Sequence, residues 1–209
     1  IVFLAQYQQI VKGFSPTESG LLMIPMTVGV VFGAAGSGRL ISKIGKYKIF
    51  PVIGSVLLIA GFSLMATITP HTSQWLMSVY MLLIGMGIGQ FMQTTTLAVQ
   101  NSVEFRMLGS ATAATIFFRT LGGAFGTAIF GTLLNNHFRN SLENHANPAA
   151  VANLDIGRLQ HDLIIQSVGS DAAQGVFAAY TDAVAFVFTF AAAGTVIAFI
   201  LACILKYQD

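Results

Sequence analysis

The chain has 209 residues, of which 55% are hydrophobic and 9% charged, with a formal net charge of +2. Soluble domains carry about 25% charged residues, so a water-soluble core of this length could not hide so much apolar surface. The few basic residues are scattered, which excludes a nucleic-acid footprint and leaves an all-α membrane protein as the expected class.

Ile1 to Lys12 form an apolar opening stretch, but in a helix twelve residues rise only ~18 Å. That is too short to cross ~30 Å of hydrocarbon. With no initiator Met and no signal-peptide layout, the expectation is a partial helix in a chain that starts partway through a span.

A first full transmembrane helix is expected over residues 19–38. Ser15, Pro16 and Glu18 make its start signal: Ser caps, Pro takes the first turn and Glu reaches back to the cap. Gly29 and Gly33 clear one face of this helix for a neighbouring backbone. After it come Gly38, Arg39, Lys43, Gly45, Lys46 and Lys48, a basic loop.

A second span is expected over residues 49–68 and a third over 75–100, the latter with its own small-residue pair, Gly85 and Gly89. Gln90, Gln93, Thr94, Gln100 and Asn101 recur along the third span at helical spacing. They put uncharged hydrogen-bonding groups down one side of an apolar helix, as the lining of a wet path would require. Polar contact between helices is the plainer reading of the same stripe.

The fourth span is expected over residues 108–134. Arg119 lies about ten residues from its start, near the midplane, where an Arg costs at least ~2.5 to 3.5 kcal/mol. Thr112, Thr115, Arg119, Gly122 and Gly126 share a face by helical spacing, so that face is expected to look into the bundle. There Arg119 either takes part in substrate or proton passage or ties to helix backbone.

Residues 137–177 read as a long loop. Val151, Leu154, Leu159 and Leu163 suggest a short surface helix within it. Its His137, His145 and His161 lack the ligand spacing of a metal site. The fifth span, residues 178–205, follows. Asp182 sits at its edge as a boundary or capping residue, with a proton or gate role and a pairing to Arg119 as the alternative. Cys203 reads as a small packing residue.

Arg39, Lys43, Lys46, Lys48, Arg106 and Lys206 fall on one side of the five spans, and only Lys12 marks the short loops opposite. That makes the first side, with the C-terminus, cytoplasmic. The 137–177 loop is then extracytoplasmic, with Trp75 and Tyr180 anchoring the outer interface and Tyr47 and Tyr207 the inner one. There is no Gly-rich phosphate loop and no nucleophile constellation inside a helix, so no cofactor and no enzyme activity are expected.

Several strings resemble a known family. Gly13-Phe14-Ser15-Pro16-Thr17-Glu18-Ser19-Gly20-Leu21, then Pro25, then Gly38 to Lys46, and later Gly109-Ser110-Ala111 and Arg119 to Ala128, are similar to the C-terminal half of the fourteen-helix drug:proton antiporters of the major facilitator superfamily, the EmrB/QacA type. The resemblance covers essentially the whole chain. It implies that the partial helix is the ninth of fourteen and that a missing N-terminal half of the same transporter is the partner. It also implies that protons and a small amphiphilic or cationic substrate are exchanged across a bacterial inner membrane. Ser42 and Lys43 stand where the superfamily often has an acidic residue and Arg, which puts that loop's charge lock in doubt. A metabolite carrier of the same fold and a non-transporting membrane scaffold are the competing readings.

Overall fold

A computed structural model describes residues 2–44, 49–145 and 160–204. Every regular element in the described residues is helical: α1 (Val2–Ile10), α2 (Pro16–Leu21), α3 (Ile24–Ile44), α4 (Ile49–Met65), α5 (Gln74–Asn101), a 3-10 turn (Phe105–Met107), α6 (Leu108–His145), α7 (His161–Val168) and α8 (Ser170–Ile204). Among the described residues, four stretches are long and apolar enough to cross a membrane: Pro16–Lys43, Gln74–Asn101, Phe105–Leu142 and Ala172–Ile204. The 17 residues of α4 rise ~25 Å, at the lower limit for a span.

The start signal is seated as expected. Ser15 Oγ accepts from the Glu18 amide at 3.2 Å and Glu18 Oε2 accepts from the Ser15 amide at 2.9 Å, a reciprocal capping box with Pro16 in the first turn. The helix does not run through to α3. Pro25 has no N–H to offer the turn before it and its ring crowds that turn's carbonyl. The backbone therefore tightens, with Met23 N–H bonding Gly20 O and Met26 N–H bonding Met23 O.

α3 and α5 run parallel and share the most extensive interface, α4 packs antiparallel against α5 and α8, and α6 packs on α8. The α3–α5 seam is backbone against backbone. A Cβ placed on Gly29 or Gly33 would strike the carbonyl of Leu82 or Met86, and one on Gly85 or Gly89 the carbonyl of Met26 or Val30. Only hydrogen at these positions permits that approach. Gly54, Gly61 and Gly87 let α4 close on α5, where an added Cβ would crowd the Gly87 carbonyl, the Ile84 side chain and the Leu58 side chain respectively, a second seam that the spacing of the glycine pairs does not announce.

The apolar core lies toward the end of the molecule that carries Trp75. Tyr7, Met65, Met77, Met81, Phe138, Val176 and Val184 are among its enclosed side chains. Lys12 Nζ donates to the carbonyls of Pro70 and Thr72 at 2.6 and 2.7 Å, tying two loops together at that end. Its partial burial lowers the ammonium pKa.

Helix ends differ most from expectation around residues 137–177. α6 continues to His145 and α8 begins at Ser170, so part of the expected loop is an antiparallel helix pair. Leu134, Phe138 and Leu142 recur every four residues on α6 and are buried, as are Ala173, Val176, Ala179, Tyr180 and Ala183 on α8. Hydropathy falls past Leu134 because Asn and Arg occupy the outer face, while the inner face keeps its helical apolar period.

His137 is therefore a helix residue, stacked on Phe186 at 4.0 Å, and Tyr180 is a core residue edge-on to Phe138 rather than an interfacial anchor. Trp75 is 80% exposed. Cys203 is exposed rather than packed. Of the suggested surface helix, Leu163 lies in α7, while Val151, Leu154 and Leu159 fall outside the described residues, as do Tyr47 and Tyr207.

Candidate functional site

The candidate path residues lie on α5 and α6. At about 100° per residue, the middle of α6 divides into two arcs. Thr112, Thr115, Arg119, Gly122, Gly123 and Gly126 occupy one, and Phe117, Phe118, Leu121 and Phe125 the other. Every one of these side chains is exposed or half-buried, Arg119 among the exposed. A Cβ added at Gly122 or Gly126 would meet nothing within 4 Å. The expectation that this face looks into the bundle is thus corrected: among the described residues it is open, because α6 touches α8 mainly toward the Trp75 end and α5 only sparingly.

Among the described residues, one side-chain hydrogen bond joins the two stripes. Gln100 Nε2 on α5 donates to Thr112 Oγ1 on α6 at 3.1 Å. The polar arc of α6 therefore turns toward the polar side of α5 at the Arg106 end. Thr115 Oγ1 returns to the Ala111 carbonyl at 2.9 Å, its donor satisfied within its own helix.

On α5 the stripe is largely packed between helices. Thr94 is fully enclosed and donates to the Gln90 carbonyl. Gln90 lies against Gly54 of α4, and Gln93 lies beside Gly38 of α3, so the two amides lean toward different neighbours. Gln90 Oε1 is buried without a partner. Asn101 is exposed at the helix end. In the basic loop, Lys43 is exposed at the last turn of α3, while Gly45 and Lys46 fall outside the described residues.

Asp182 sits on the exposed side of α8. It is within the helix, twelve residues from its start at Ser170, rather than a cap. Pairing with Arg119 does not fit the register. Phe138 meets Tyr180 and His137 meets Phe186 across antiparallel helices, which puts Asp182 level with the turn around those residues. Arg119 lies roughly 17 residues, or ~25 Å, further along the α6 axis.

α1, too short to count as a span, carries the run Gln6-Tyr7-Gln8-Gln9, polar within an apolar helix. Tyr7 OH donates to the Thr69 carbonyl at 3.0 Å, and Gln9 Nε2 donates to Ser19 Oγ at 2.9 Å. His161 Nδ1 lies 3.0 Å from the Ile10 carbonyl, with its ring stacked on Phe177 at 4.7 Å. The Tyr7 and Gln9 bonds tie α1 to the α4–α5 loop and to α2, while His161, stacked on Phe177 of α8, seats α7 against the Ile10 end. The signal for the Tyr7 and Gln9 ties was the polar run itself, unusual in a helix of this hydropathy.

The sequence profile described as Major Facilitator Superfamily matches residues 1–127. The chain belongs to that superfamily. It is 36% identical to an uncharacterized MFS-type transporter of Mycobacterium tuberculosis over 99% of its own length and 30% of the relative's. It is 34% identical to the multidrug transporter protein MdtP of Bacillus subtilis, over 68% of this chain and 26% of that one. Multidrug resistance protein 3 of the same organism is 28% identical over 68% of this chain and 27% of its own. The superfamily is one of membrane transporters rather than enzymes, and this chain spans about 30% of the length of the first of these relatives.

Proposed function

We propose that this chain is the C-terminal bundle of a proton-coupled multidrug efflux transporter of the fourteen-helix type. The supporting observation is the divided surface of α6. Its aromatic arc suits lipid, while the opposite arc sets a guanidinium and small residues on an open face that hydrogen-bonds to the amide stripe of α5. Eleven residues past Leu108, Arg119 sits ~16 Å along the helix, about halfway through the hydrocarbon. A charge at that depth is kept only against a wet cavity or a partner.

In this reading the N-terminal half of the transporter covers the Arg119 face, and the space between the halves carries an amphiphilic or cationic compound, exchanged for protons by alternating access. The Arg106 end faces the cytoplasm of a bacterial cell, because basic loops stay inside. The multidrug names of the two Bacillus relatives favour efflux of such compounds over carriage of a metabolite.

The test is dye and drug efflux by the full-length protein in an efflux-deficient bacterium. Arg119→Ala is expected to abolish export at unchanged membrane expression. Wild-type export of a sugar or organic acid in place of dyes would move the assignment to a metabolite carrier, and normal efflux by the Ala variant would remove Arg119 from the path.

A further inference from the structure

Gly13 turns the chain sharply between α1 and α2. Its φ of +72° lies in the left-handed region that glycine reaches without strain, and a Cβ there would stand 3.0 Å from the His161 ring. The turn, the capped start of α2 and the first residues of α7 border an open cavity of about 360 Å³, a volume within the range of small-molecule sites. Gln9, Phe14, Ser15, Glu18, His161 and Asp162 line it, with Gln160 beside them. Lying at the Trp75 end, it is separate from the Arg119 face in the middle of α6.

Most side-chain donors around this cavity are committed to other groups. Gln9 Nε2 donates to Ser19 Oγ, and Ser15 Oγ donates to Glu18 Oε2. His161 Nδ1, 3.0 Å from the Ile10 carbonyl, carries the ring hydrogen of that bond because a carbonyl only accepts. The acceptors are not committed in the same way. Glu18 uses Oε2 for both of its cap bonds. Among the described residues, Glu18 Oε1, Gln9 Oε1 and the Asp162 carboxylate accept no hydrogen bond, and Nε2 of a neutral His161 ring is one acceptor more. Gln160 makes no cap bond with its side chain and can offer either end of its amide. Lys12, next to the turn, points its ammonium away to the Pro70 and Thr72 carbonyls.

Two carboxylates among uncommitted acceptors, with no cation turned toward them, suit a ligand that is positive and carries several N–H groups. No three His, Cys, Asp or Glu among the described residues are placed to hold a metal ion. The Phe14 ring offers the same ligand an apolar, cation-tolerant surface. We propose that this cavity is a binding site for an organic ammonium or guanidinium ion with a flat apolar substituent, held by Glu18 and Asp162 and backed by Phe14. Binding does not depend on the efflux reading. Supply of the cation from the transport path does rest on it, and an amine taken from the medium is the other source.

The full-length transporter in nanodiscs is titrated with benzylammonium, benzyl alcohol and benzoate, with binding followed by ligand NMR. Benzylammonium is expected to bind saturably, about 10- to 100-fold more tightly than benzyl alcohol, and benzoate not at all. Glu18→Gln keeps the capping box, which accepts Gln in place of Glu, so Glu18→Gln/Asp162→Asn should melt with wild type and lose the same factor for benzylammonium. Glu104→Gln, which removes an exposed carboxylate elsewhere, should bind as wild type does. Equal binding of the alcohol, or undiminished benzylammonium affinity in the double variant, would overturn the proposal. In cells, a site fed from the path predicts that the double variant exports a cationic dye more slowly and a neutral drug normally. A site fed from the medium predicts normal export by the double variant, with external benzylammonium slowing export by wild type alone. If the wild-type protein exports nothing, the efflux reading falls and the titration still decides the site.

Discussion

Glycine is the residue through which this bundle is most tightly specified. At Gly85 and Gly89 a methyl group would overlap a carbonyl of α3, and backbone cannot retreat as a flexible side chain does. At Gly122 there is open space. Gly85→Leu is accordingly expected to lower the detergent melting temperature sharply, by the ~1 to 3 kcal/mol or more of an overpacked core. Gly122→Ala should leave that temperature unchanged or raise it slightly, and any change in its efflux would then be a transport effect. The spacing of Gly29, Gly33, Gly85 and Gly89 told that these helices could approach closely. It gave the same promise for Gly122 and Gly126, which no described neighbour meets, because spacing reveals a smooth face and not what lies across from it. Arg119 was legible as costly for the same reason that its surroundings were not: depth follows from counting residues, whereas exposure depends on helices far away in the chain.

Among the elements, the spans themselves were plain in the hydropathy and their ends were not. Nothing in the average apolarity of residues 135–145 marks a helix, yet Leu134, Phe138 and Leu142 keep a four-residue period and are buried. At 38 residues, α6 rises ~57 Å, nearly twice the hydrocarbon thickness. Phe138, 1% exposed and edge-on to Tyr180, is its main anchor on α8. Phe138→Ala is expected to cost about 3 to 5 kcal/mol, read as a lower denaturation midpoint of the purified protein, and Arg139→Ala on the exposed side next to it should cost within about 0.5 kcal/mol. The Pro25 break was equally readable in principle, since the ring's conflict with the preceding turn is local, but a hydropathy window averages across it. Ser15→Ala removes the reciprocal cap and is expected to destabilise by about 1 kcal/mol, measured in the same way.

For the whole molecule, composition and a handful of strings carried the fold class, and the superfamily follows from the profile match over residues 1–127. How much of the work this stretch does alone did not follow from either, since the relatives extend well beyond the part matched here. On the proposed reading as the C-terminal bundle of an exporter, this chain expressed by itself is expected to insert and to give no export, with activity returning when the rest of the transporter is co-expressed. Restored export in drug-accumulation assays checks this. Export by the lone chain would mean that the α6 face is closed by a second copy instead. A feature of the seams bears on how such a machine divides its stiffness. α3 and α5 are locked backbone on backbone and α4 is seated on α5 at its glycines, whereas α6 meets α5 sparingly, with one side-chain hydrogen bond among the described residues, near the Arg106 end. The locked helices then act as a slab and α6 as a strut held chiefly by α8 at its Trp75 end, so deuterium should enter the amides around Arg119 long before those around Gly85.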